Sequence, residues 1–94
     1  MKIELYLVPE DEEGLKIKEF LIRNNLPFKE VITEDISVLN KVRQLPPNWN
    51  SNRNSLLRIF YSSSIHVIDG YQEHALDQII EHIKKYKSYV ERPR

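Results

Sequence analysis

Ninety-four residues suffice for one domain near the small end of sizes that bury a core of their own, and 40% hydrophobic with 10% aromatic content suits a compact globule. Fourteen Lys and Arg balance fourteen Asp and Glu, so no global field draws nucleic acid or an anionic membrane, and such binding would need a local patch. With no cysteine in the chain, disulfides, thiolate metal sites and thiol redox chemistry are excluded together.

Residues 2–8 alternate Ile3, Leu5 and Leu7 with Lys2, Glu4 and Tyr6 before adding Val8, the pattern of a strand that becomes buried on both faces. This run is too short for the apolar core of a signal peptide, and no stretch reaches membrane-spanning length, so the expectation is a cytoplasmic chain without a membrane anchor. From Asp11 the period changes. Leu15, Ile17, Lys18, Phe20, Leu21 and Ile22 predict a helix over 10–24 with an acidic first turn, stopped by Asn24, Asn25 and Pro27. Residues 28–32 read as a short strand, and strand-helix-strand at this spacing implies a parallel pair with a crossover.

Asp35 is placed to cap a helix over 36–44 that buries Ile36, Leu39, Val42 and Leu45, ended by Pro46 and Pro47. Residues 48–54, rich in asparagine and carrying Trp49 and Arg53, read as the longest loop. Residues 56–61 and 65–68 are two strands so close in sequence that they demand an antiparallel hairpin, which Asp69 and Gly70 terminate. Residues 72–90 predict a long amphipathic helix with Leu76, Ile79, Ile80, Ile83, Tyr86 and Val90 toward the core, and 91–94 a frayed tail. Residues 1–94 are thus expected to form one α/β domain, a mixed four-stranded sheet in the order β-α-β-α-β-β-α with helices on both faces.

That order resembles the thioredoxin superfamily and, within it, the glutaredoxins, over almost the whole chain. Ile68-Asp69-Gly70-Tyr71-Gln72-Glu73 looks like the glutaredoxin Ile-Gly-Gly-aromatic-Asp-Asp segment, and Arg58-Ile59-Phe60 stands where the family often has Arg-Val-Phe. The departures are pointed. Glutaredoxins place Cys-Pro-Tyr-Cys or Cys-x-x-Ser after the first strand, where this chain reads Glu10-Asp11-Glu12-Glu13, and a cis-proline before the third, where it has Ser55, Leu56 and Leu57. Asp69 replaces the first glycine of the family's pair, and Gln72 its acidic contact to the glutathione amine, which argues against glutathione binding. At a helix N-terminus the partial positive charge that favours a thiolate equally favours carboxylates, by about 0.3 to 1 kcal/mol each.

The resemblance therefore implies a cysteine-less member without a catalytic residue or cofactor, used to bind a protein partner. The candidate surface is Glu10, Asp11, Glu12 and Glu13, the loop with Trp49 and Arg53, and the turn of Gly70, Tyr71 and Gln72. Trp49 admits two readings, an exposed contact anchor or a lid folded back over the second helix and third strand. Two other functions stay open: a glutathione-transferase-like binder, for which Tyr6 is the nearest polar group, and a self-associating domain in which edge strands pair two copies. His74, Gln78 and His82 fall on one helical ridge, but histidines two turns apart are about 12 Å apart, too far to share a metal. Ser62, Ser63 and Ser64 near His66 and Asp69 read as a turn, since no strained elbow or Gly-x-Ser-x-Gly context surrounds them.

Overall fold

The computed structural model contains β1 (Lys2–Leu7), α1 (Glu12–Arg23), β2 (Lys29–Ile32), α2 (Ile36–Arg43), β3 (Leu56–Tyr61), β4 (Ser64–Asp69) and α3 (Glu73–Val90). It describes residues 2–46, 49, 54–61 and 64–90, without the side chains of Tyr61 and of residues 83–90. Ile83, Tyr86 and Val90, expected on the core side of the last helix, and the tail 91–94 therefore lie outside the described side chains.

The chain is α/β, with a four-stranded mixed sheet in the order β2-β1-β3-β4. β1 pairs with β2 in parallel, Leu5 opposite Glu30, and with β3 antiparallel, Leu5 opposite Leu57. β3 and β4 form the antiparallel hairpin that their spacing demands, Leu57 opposite Ile68. Strand alternation splits the core in two. Ile3, Leu5, Leu7, Leu57, Ile59 and Ile68 meet Ile17, Phe20 and Leu21 of α1 and Leu76 and Ile80 of α3, whereas Tyr6, Val8 and Leu56 meet Leu39 and Val42 of α2. The central strand is covered from both sides, and each fully buried aliphatic side chain contributes about 1.5 to 3 kcal/mol.

Local chemistry sets the helix ends, and here several sequence expectations are corrected. The first helix starts at Glu12 rather than at Glu10: Glu10 sits at φ 66, and Asp11 is the extended N-cap whose carboxylate accepts the Glu13 N–H. It ends in a Schellman arrangement, with Asn25 at φ 55, its N–H on the Ile22 carbonyl and the Leu26 N–H on that of Leu21. Asp35 caps α2 through the Ser37 N–H, as its position predicts.

Leu15 and Ile22, expected on the buried stripe of α1, are exposed. The stripe against the sheet is Gly14, Ile17 and Leu21 with Phe20 beside it, because the absent side chain of Gly14 lets that edge of the helix approach β1 most closely. In α2 the buried set is Leu39, Asn40 and Val42, while Ile36 and Leu45 are half-buried.

Candidate functional site

Four chain segments converge at the end of the sheet where β1 and β4 stop and β3 begins. Their hub is Ser55, fully buried and immediately before β3. Its Oγ accepts the Val8 N–H at 2.8 Å, its N–H donates to Asp11 Oδ2 at 2.9 Å, and its carbonyl accepts the Gly70 N–H at 2.9 Å. One residue thus satisfies strand-end groups of β1, the β1–α1 loop and the β4–α3 turn, which would otherwise be orphaned in a dry setting.

Asp11 is the second node. One carboxylate oxygen caps α1 and the other holds Ser55. Burial pushes its carboxyl up, but hydrogen bonds from the Ser55 hydroxyl and the Ser55, Glu13 and Gly14 backbone outweigh that and hold it below its ordinary value of 3.8. In the window between the folded and unfolded values the unfolded chain binds more protons, so stability rises with pH there and is lost as pH falls through the folded value. Asp11→Asn, which keeps an acceptor but no charge, is expected to cost about 1 kcal/mol at pH 7. Urea titrations at stepped pH should show this deficit closing below the ordinary Asp range; a deficit unchanged at the acid end would refute the charge assignment.

On the α2 side, Arg43 grips Asp69 with two hydrogen bonds of 2.9 Å, and its Nη2 also donates to the Asn54 carbonyl at 2.9 Å. The Arg43 side chain is only 7% exposed, and its buried Nη1 has no hydrogen-bond partner among the described residues. Gln72 turns its amide back onto the Asp69 carbonyl at 2.8 Å, and Lys16 lies 5.8 Å from the centre of the Tyr71 ring. Gly70 takes φ 76, a left-handed conformation suited to glycine, and the Glu13 carboxylate stands 3.6 Å from where a side chain would begin.

Between the two readings of Trp49, the geometry selects the exposed one: the residue is 56% exposed. The backbone beneath it is fixed, because the Trp49 N–H donates to the Pro46 carbonyl at 2.9 Å and the fully buried Asn40 donates to the Trp49 carbonyl at 2.9 Å. Glu10, Glu12 and Glu13 are exposed at the start of α1. Arg53 lies outside the described residues, as do Ser62 and Ser63.

Of the anticipated surface, Asp11 and Gly70 are brought together through Ser55, Glu13 joins them through its N–H on Asp11 and its carboxylate beside Gly70, and Tyr71 and Gln72 follow in the adjoining turn. Sequence reasoning missed the connectors Ser55, Arg43 and Asn40. For Asn40 a signal existed, an amide between Leu39 and Val42 on the apolar stripe; for Arg43 there was none. On α3, His74 lies 3.2 Å from the Gln78 amide on an exposed face, and no cluster suited to a metal occurs among the described residues. Among them, too, no helix is long and apolar enough to cross a membrane. Comparison with protein-family models, with curated proteins and with solved structures returns no match to this chain.

Proposed function

We propose that this chain is a cysteine-less domain of thioredoxin-like, glutaredoxin-like architecture that works without catalysis, by binding another protein through the end of its sheet. The sheet order β2-β1-β3-β4, with a parallel first pair and a terminal hairpin, is compatible with that architecture. Three polar side chains at that end are already engaged: Asp11 with Ser55 and Glu13, Asp69 with Arg43, and the Gln72 amide with the Asp69 carbonyl. Gln72, at the position of the glutathione-binding acid, is thereby turned away from a ligand role.

One observation carries the reading: a fully buried asparagine is committed to the carbonyl of a tryptophan that remains 56% exposed. Burying an amide is unfavourable unless it is hydrogen-bonded, and here the bonds it makes hold an apolar anchor in the open. Tryptophan, with tyrosine and arginine, is enriched at binding hot spots. The carboxylates of Glu10, Glu12 and Glu13, at the same end of the sheet, favour a partner segment carrying Lys or Arg.

The test is quantitative capture of a partner by the wild-type chain, followed by affinity measurement with variants. Trp49→Ala is expected to weaken binding about 30-fold or more, as for a hot-spot residue, with thermal stability nearly unchanged. Glu12→Lys with Glu13→Lys should mainly slow association and reduce its salt dependence. Affinity indifferent to both changes, or heat on titration with glutathione, would overturn the proposal.

A further inference from the structure

Among the described residues, α2 covers the sheet face it packs on at one end only. Across that face, register places Val31, Tyr6, Leu56 and Asp69 in one row, of which Tyr6 and Leu56 pack with α2 and Val31 lies against that cluster. The next row is Lys29, Glu4, Arg58 and Val67, and beyond it lie Lys2, Phe60 and Ile65. In these rows Lys2 and Lys29 are exposed, and Val67 and Ile65 on the edge strand are 37% and 50% exposed.

The chemistry of this open area is uneven. Glu4 is buried beneath Arg58, which donates to its Oε1 from both Nε at 2.9 Å and Nη2 at 2.6 Å, while Lys2 stands 3.4 Å from Oε2. The Arg58 guanidinium lies 4.8 Å from the Phe60 ring centre and 5.4 Å from that of Tyr6, and Lys2 lies 5.7 Å from Phe60. Three cations and one shielded carboxylate therefore flank an apolar strip of Phe60, Ile65 and Val67. We infer that this open half-face is a second docking surface, whose occupant is an acidic amphipathic helix of a partner protein.

Dimensions and charge argue for that occupant. Four strands span about 14 Å from β2 to β4, and a helix is about 10 Å in diameter, so one helix laid beside α2 at the usual spacing of about 8 to 10 Å continues the existing helical layer. Its apolar stripe meets Phe60, Ile65 and Val67, and its carboxylates meet Lys2, Lys29 and the open edge of Arg58. A second copy apposed face to face would bring two surfaces of the same net positive charge together. A nucleic acid strand is disfavoured by the central Glu4 and by Phe60, whose ring already carries two cations where a base would stack. The surface differs from that of Trp49 in place and in sign of charge, so either can fail without the other.

The test is titration of the isotope-labelled chain, followed by NMR, with three probes: a synthetic helical peptide with a leucine stripe flanked by glutamates, its lysine-substituted twin, and an oligothymidylate. The acidic peptide is expected to shift the amides of Arg58, Phe60, Ile65 and Val67, with affinity falling as salt is added. Lys29→Glu and Val67→Asp should each weaken it about tenfold, and Trp49→Ala should leave it unchanged. Two exposed positions are used so that a fold defect in one does not decide the matter. Equal binding of the lysine twin, tighter binding of the oligonucleotide, shifts confined to the Trp49 end, or no binding of the acidic peptide would each overturn the inference.

Discussion

Replacing Gly14 by alanine is expected to destabilise the protein by about 2 kcal/mol, although in an exposed helix the same change stabilises by about 1 kcal/mol. A Cβ at this position would collide with Ser55 Oγ and stand 2.5 Å from Leu7 Cδ1 and 2.8 Å from Ser55 Cβ. Leu7 is buried in the core, and Ser55 cannot retreat, because its Oγ, N–H and carbonyl are bonded to Val8, Asp11 and Gly70. The backbone of α1 would have to lift from the sheet, taking Ile17 and Leu21 with it. Ser55→Gly alone should cost about 1 to 2 kcal/mol by orphaning the Val8 N–H. In Gly14→Ala with Ser55→Gly both contacts with Ser55 are relieved and only that with Leu7 Cδ1 is left, so the double variant should lie about 1 kcal/mol above additivity. Urea denaturation of the four proteins checks this; a stabilised Gly14→Ala would mean that the contact is not tight.

Gly14 also shows why part of the fold was legible and part was not. Alternation in residues 2–8 reports β1 directly, because each face of that strand meets its own apolar cluster. The hairpin is legible for a different reason: only three residues separate Tyr61 from Ile65, too few for any crossover. By contrast, the rotation of α1 depends on one close approach between Gly14 and a serine 41 positions away, and no local period encodes it. Leu15 and Ile22 therefore read as core on a helical wheel and face solvent in the fold.

The candidate site divides along the same line. Asp35 as an N-cap needs only its own neighbours, and Asp11 was legible as part of an acidic first turn. Its second bond, to Ser55, spans 44 positions, and the grip of Arg43 on Asp69 spans 26. Long-range polar pairs leave no trace in a single sequence unless a charge sits where an apolar residue is due. Glu4 is nearly such a case. Its alternation marks the face opposite Ile3 and Leu5, but strand period alone does not say whether that face is wet.

Glu4 supplies the other large effect, through its partner. Arg58→Met is expected to cost about 2 to 4 kcal/mol at pH 7, somewhat below the figure for a fully buried pair because the Arg58 side chain keeps 26% exposure. The loss is mainly of charge compensation, since methionine keeps an unbranched apolar stem and gives up the guanidinium with its placement over the Phe60 and Tyr6 rings. Left behind is a carboxylate 6% exposed, whose polar neighbours among the described residues are the solvated Lys2 and the Tyr6 hydroxyl. In the wild type, burial raises the Glu4 carboxyl, but Arg58, Tyr6 and Lys2 together hold it below its ordinary value of 4.5. Without Arg58, burial, the largest of these influences, is expected to prevail over Tyr6 and Lys2 and to raise the folded value above the unfolded one. The sign of the linkage then reverses: the folded variant binds the extra proton, so its deficit shrinks as pH falls toward 4, whereas wild-type Glu4 loses stability over that range. Glu4→Gln combined with Arg58→Met removes the buried charge and should recover at least half of the loss. Thermal denaturation at pH 7 and pH 4 distinguishes this account from simple loss of packing, which predicts the same deficit at both and no recovery in the double variant.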